Sequence, residues 1–213
     1  MTVPRRDTPV FNHMSPVILV LAIIMVGVFL LGTLSFPFLQ ASYQIGALVP
    51  GHVSADPGRV EVWWPWLLHV FLHAGWMHLI LNTMALLAFG SAAARAFGDS
   101  VKGQVGFLLF FFVCAIAGAG GQFMSGPDSF TPMVGASTAL SGCIAAAGWA
   151  NGGYRGMLRL ALPWLALNIV LAFVGSQIWV SIAWAGHIGG LVAGALLYPL
   201  FLAVFGVRTS QGR

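Results

Sequence analysis

Residues 16–34 read PVILVLAIIMVGVFLLGTL, an unbroken apolar run with no charged residue. A helix needs about 20 such residues to cross a hydrocarbon core about 30 Å thick. The run is too long for the core of a signal peptide, although Arg5 and Arg6 precede it. Five further apolar runs follow, over about 75–94, 104–123, 137–150, 157–175 and 182–205. Of the 213 residues, 59% are hydrophobic and 7% charged, against about 25% charged in a soluble domain. Such a chain cannot coat itself with solvated groups, so a soluble globular domain is excluded. Disorder, which needs low hydrophobicity and high charge, is excluded with it. The expected architecture is an all-α membrane protein, a six-transmembrane helical bundle. Residues 1–15 then form an N-terminal tail, 16–205 the membrane domain and 206–213 a second tail.

The basic residues orient this arrangement. Arg5 and Arg6, Arg95 and Lys102, Arg155 and Arg159, and Arg208 and Arg213 all fall on one side if there are six spans, and only Arg59 falls on the other. Because basic loops stay inside, both termini are expected in the cytoplasm. The pI of about 9.7 does not call for nucleic acid, since the charges are few and scattered between apolar runs. Cys114 and Cys143 lie inside such runs and read as small buried hydrophobes. Trp63, Trp64 and Trp66, in the 35–74 connection, suit a membrane–water interface.

Polar side chains inside a bilayer are costly and point to function. Those that fall within the runs are His78, Asn82, Ser137, Ser141, Asn168 and His187, with His69 and His73 just upstream of the second. The fourth run is short. Its helix spans only about 21 Å at 1.5 Å per residue, so Ser137 is expected about 9 Å below the outer face of a 30 Å core. The approach to it, Ser125 to Gly135, contains Gly126, Pro127 and Pro132 and must dip into the membrane as a buried loop. His187, His78 and Asn82 lie at about the same depth, about 5–10 Å in from the outer ends of their runs. Gly186, Gly190 and Gly194 on the last run, with Ala139, Gly142 and Ala145 on the fourth, are small enough for close helix approach.

A serine needs a base to take its proton, and imidazole is the usual base near neutral pH. Ser137 and His187 suit those roles. His78 and Asn82, four apart, can point at one oxyanion, and the amides that open the Ser137 helix favour negative charge. No carboxylate occurs in the last three runs, so a Ser–His dyad is the most the sequence allows. Asn168 reads as an interhelical hydrogen bond. Ser141, one turn deeper, is the rival nucleophile, but its hydroxyl is expected to bond the carbonyl four residues back.

These residues resemble the rhomboid intramembrane serine proteases. Gly135-Ala136-Ser137-Thr138 is similar to the family's GxSx motif, His73, His78 and Asn82 to its HxxxxHxxxN pattern, and Gly186-His187-Ile188-Gly189-Gly190 to its AHxGG pattern. The likeness covers about residues 60–200. It implies Ser137 as nucleophile, His187 as general base, and His78, Asn82 and the Ser137 amide as the oxyanion hole. It implies supporting roles for His73, Gly135 and Gly190, no metal or cofactor, and a cap at Gly175-Ser176-Gln177. Its substrates would be transmembrane proteins, cut near their outer ends, whereas only the chain's small size suggests a multi-pass protein of the bacterial inner membrane. Two departures carry expectations. Thr138 stands where glycine is common, and its methyl and hydroxyl are expected to crowd the oxyanion region. Ser141 stands where an aromatic often stacks on the histidine, so that stacking is expected to be lost.

The alternatives are a non-catalytic rhomboid-like protein that binds membrane helices, a zinc site built from His69, His73, His78 and His187, and a transporter. The family's non-catalytic members typically lose the serine or histidine, and both are present. No carboxylate or thiolate accompanies the imidazoles, and no buried carboxylate or inverted repeat suits transport.

Overall fold

Pro16–Leu34 is helical throughout (α1), with Pro16 at its first turn, where the missing N–H costs nothing. Its start is satisfied from another element: Gln104 Oε1 accepts the Ser15 hydroxyl at 2.8 Å and the Val17 amide at 2.9 Å. The computed structural model describes residues 14–174 and 182–207, and the regular elements among them are all helices. After α1 come α2 (Phe36–Gly46), α3 (Pro50–Ala55) and α4 (Pro65–Leu68). The longer helices are α5 (Trp76–Ala94), α6 (Val101–Ser125), α7 (Ser137–Val174) and α8 (Trp184–Phe205). The last begins two residues later than hydropathy alone suggests, because Ala183 already has non-helical backbone.

Five of the described helices, not six, are long and apolar enough to cross a membrane. The fourth and fifth apolar runs are joined in α7, whose 38 residues are interrupted by non-helical backbone at Gly152 and Gly153. Gly153 takes φ 58°, a conformation that favours glycine. Beyond it the chain folds back on itself. A Cβ on Gly148 would lie 2.5 Å from the Gly156 carbonyl oxygen, Ala145 clusters with Met157 and Ala161, and the Trp164 indole bonds Ser141. These pairings run in opposite directions along the chain, so α7 is an antiparallel hairpin. The hydropathy pattern separates its two helical arms, which meet at the non-helical Gly152 and Gly153.

The first arm of α7 is the centre of the molecule, and Thr138 to Gly148 are buried on every side. Its residues are mostly Ala, Gly, Ser and Cys, so neighbours approach to backbone distance. A Cβ on Gly190 would collide with the Thr138 carbonyl, and one on Gly194 with Gly142. On α6, a Cβ on Gly118 would lie 2.6 Å from the Thr138 Cβ and 2.7 Å from the Gly186 oxygen. Directed bonds add to this: Trp149 Nε1 donates to the Ala195 carbonyl at 3.1 Å between α7 and α8, and Tyr198 donates to the Ala93 carbonyl at 2.8 Å, tying α8 to α5. The outer faces stay apolar, with Leu81, Met84, Leu196 and Leu200 exposed, as suits lipid rather than water.

The 35–74 connection is folded rather than loose. It docks on the loop before Ser137 through a two-way backbone bridge between Leu48 and Met133, at 3.0 and 2.7 Å, and through Gly51 N–H to the Ser129 carbonyl at 2.8 Å. Backbone groups of an irregular segment are thereby satisfied without water. Trp63 and Trp64 are exposed, as an interfacial anchor requires, whereas Trp66 turns inward against Phe123 with ring centroids 6.0 Å apart.

Candidate active site

Ser137 opens α7 and His187 lies in the first turn of α8. Ser137 Oγ and His187 Nε2 are hydrogen-bonded at 2.8 Å. The approach is set by the glycines described above: with Gly190 and Gly194 against the first arm of α7, no side chain holds the two helices apart. Ser137 is partly exposed while His187 is buried, so the hydroxyl is the accessible end of the pair.

His78 and Asn82 face the residue two before Ser137. Gly135 has φ 110°, and a Cβ there would lie 2.5 Å from His78 Nε2 and 3.8 Å from Asn82 Nδ2. Glycine is thus required twice, for its backbone angle and for the space. The Ala74 amide donates to His78 Nδ1 over a long 3.4 Å, which leaves Nε2–H as the donor turned toward Gly135. Asn82 Nδ2 donates one hydrogen to the His78 carbonyl at 2.8 Å, and its buried Oδ1 has no partner. Ser137, His187, His78 and Asn82 therefore lie around the start of α7: a hydroxyl, two imidazoles and an amide.

His69 is tied to the same loop from the other side. Its Nδ1 donates to the Pro65 carbonyl at 2.8 Å, so neutral Nε2 accepts the Thr138 hydroxyl at 3.0 Å. Its own carbonyl accepts the Gly135 amide at 2.8 Å. Burial pushes the His69 imidazole down to about 4, against the opposing pull of the Pro65 carbonyl. His73 is pushed down to about 4 as well, by burial first and then by the charge of His78. The His73 ring packs edge-on against that of His78, centroids 5.2 Å apart, and its carbonyl accepts the Tyr43 hydroxyl at 3.3 Å. His73 thus touches both α2 and α5, next to a cleft of about 390 Å³ whose lining includes Phe29, Leu39 and Tyr43.

One expectation from the departures is corrected. Thr138 does not crowd the oxyanion region: its Cβ packs on Gly118, its Cγ2 on Gly186, and its hydroxyl is taken by His69. Position 141 brings no ring to His187, but another aromatic lies beside it. The Trp164 ring, from the second arm of α7, lies 5.7 Å from the imidazole at 40°. Ser141 holds that indole in place, accepting Trp164 Nε1–H at 2.9 Å while donating to the Ser137 carbonyl at 2.7 Å. Both functions of the Ser141 hydroxyl are therefore occupied. The residue that sequence reasoning undervalued is Asn168, whose Oδ1 lies 2.7 Å from His187 Nδ1. The only signal was a lone amide in an apolar run. Gly175-Ser176-Gln177, where the cap was expected, lie outside the described residues.

The rhomboid domain model matches residues 60–204. Rhomboid protease GluP of Bacillus subtilis (strain 168) is 34% identical over 62% of this chain and 25% of its own length. Rhomboid protease GlpG of Yersinia pestis (strain Pestoides F) is 27% identical over 63% of this chain and 46% of its own. The chain thus spans less than half the length of either relative. Because the domain match covers well over half of the chain, and its helices are long and apolar enough to cross a bilayer, this is a multi-pass integral membrane protein that belongs to the rhomboid family.

Proposed function

We propose that this chain is an intramembrane serine endopeptidase that cleaves transmembrane helices near their outer ends. The observation that carries the reading is the 2.8 Å hydrogen bond between Ser137 Oγ and His187 Nε2. Relatives named as rhomboid proteases support it. Ser137 Oγ attacks the scissile carbonyl carbon as its proton passes to His187 Nε2. The oxyanion is held by the His78 and Asn82 N–H groups and the Ser137 amide. The imidazolium then gives its proton to the leaving amine. Water, deprotonated by the same nitrogen, hydrolyses the acyl-serine and frees the hydroxyl. Preformed donors in a water-poor site need no reorganisation as charge develops, which makes each worth more than in water.

The reading includes six membrane crossings with both termini cytoplasmic, the two arms of α7 each crossing once. The basic residues support that orientation, and it puts Ser137 toward the outer face, where a substrate helix frays most readily. Its partners are then transmembrane substrates and the lipid around them. The test is cleavage of a transmembrane substrate in proteoliposomes. The wild type is expected to cut it, and Ser137→Ala to leave it intact with the fold preserved. Cleavage by Ser137→Ala would overturn the assignment.

A further inference from the structure

We infer that Asn168 is the positioning residue for the base, holding His187 in the one tautomer that can accept the Ser137 proton. The inference rests on the protease reading for its consequence, but its geometry stands alone. Asn168 Nδ2 lies 2.8 Å from the Trp164 carbonyl. A carbonyl only accepts, so the amide NH₂ must face it and the amide oxygen must face away. That oxygen is the atom 2.7 Å from His187 Nδ1. Nδ1 therefore carries the imidazole hydrogen, and Nε2 presents its lone pair to Ser137 Oγ at 2.8 Å. With the amide reversed, the NH₂ would donate to Nδ1, Nε2 would carry the hydrogen, and the serine would face a donor.

The relay is built on rigid elements. Asn168 is 1% exposed and lies one turn beyond Trp164, whose ring flanks the same imidazole. Trp164 is in turn fixed by Ser141, four residues after the serine. The second arm of α7 thus grips His187 on its far edge and on its side, while the first arm supplies the nucleophile. A nucleophile, its base and a third group orienting the base make the general triad pattern. A neutral amide is a physically apt third group here. A carboxylate would be a permanent charge buried at membrane depth, whereas an amide oxygen accepts the same hydrogen without one.

The role is separable from interhelical glue. Among the described residues, the hydrogen-bond and ring partners of the imidazole are Ser137, Trp164 and Asn168. The test uses the full chain in detergent, with ¹⁵N-histidine labelling to assign the His187 tautomer and a fluorophosphonate to measure the labelling rate of Ser137. Wild type is expected to show Nδ1–H with Nε2 unprotonated. Asn168→Ala should lose that preference and label about 10-fold or more slowly, as loss of one buried charge-stabilising hydrogen bond implies. Asn168→Asp keeps an oxygen toward Nδ1, and as the neutral acid expected at membrane depth its O–H can replace the amide NH₂ on the Trp164 carbonyl, so it should keep the tautomer and retain labelling. A wild-type His187 protonated on Nε2 overturns the inference, and so does an Asn168→Ala protein with unchanged tautomer and rate. If Asn168→Ala does not fold, the wild-type and Asn168→Asp spectra decide. A wild type with the expected tautomer that takes no label would count against the protease reading while supporting this one.

Discussion

The Thr138 hydroxyl donates to His69 Nε2 at 3.0 Å, in a buried contact one residue after the proposed nucleophile. That bond ties the start of α7 to the segment that follows α4, and the Gly135 amide on the His69 carbonyl ties the loop just before it. Thr138→Val keeps the shape and removes the donor, leaving a buried imidazole nitrogen unpaired. The expected cost is about 1–3 kcal/mol, read as a fall in Tm in detergent. In a double-mutant cycle with His69→Phe the two changes should couple by at least about 0.5 kcal/mol. Additive effects would mean the bond is not formed.

Acid should weaken this fold at a defined place. His69 and His73, both outside the membrane-spanning helices, sit at about 4 in the native chain instead of 6.5. Between those values an unfolded chain takes up protons that the native one refuses. Their contribution is therefore fully present above pH 6.5 and is lost as pH falls toward 4. Tm is expected to drop between pH 7 and pH 4.5, and the drop should shrink in His69→Gln. An unchanged slope in that variant would remove His69 from the account.

Gly135→Ala should be far more damaging than its size suggests. The added methyl meets His78 Nε2 at 2.5 Å on a backbone with φ 110°. Displacing one of the proposed oxyanion donors is expected to slow turnover by about 100-fold or more, so fluorophosphonate labelling should fall at least that far. Gly27→Ala is the control: a Cβ there meets nothing within 4 Å, and alanine favours helix by about 1 kcal/mol over glycine. It should leave labelling unchanged and raise Tm slightly.

What the sequence makes legible follows from the cost of polarity in an apolar run. Ser137, His187, His78 and Asn82 stand out because nothing else explains them there, and their depths coincide along three separate helices. The small residues of Gly186, Gly190, Gly194 and Gly142 announce close packing for the same reason. Trp164 gives no such signal, since an indole passes as a lipid-facing or core residue until its N–H is seen on Ser141. Asn168 is visible as polar, but its partner depends on how the two arms of α7 pack, and that turns on two glycines at 152 and 153. The direction of the Thr138 side chain depends on His69, 69 residues earlier, which hydropathy leaves as an unremarkable end of a loop.

Ser141→Ala separates the two serines. Its hydroxyl is 0% exposed and bonded on both functions. Removing it should leave labelling largely intact and cost about 1 kcal/mol through the unpaired Trp164 indole, measured as a small fall in Tm. Loss of labelling with Tm unchanged would make Ser141 a participant in the chemistry.

The most direct test of the account is covalent labelling of the purified, folded protein by a fluorophosphonate, beside Ser137→Ala and His187→Ala. An activated pair predicts one label per chain, located on Ser137 by peptide mapping and absent from both variants. A folded wild type that takes no label, or a label that persists in Ser137→Ala, would contradict it.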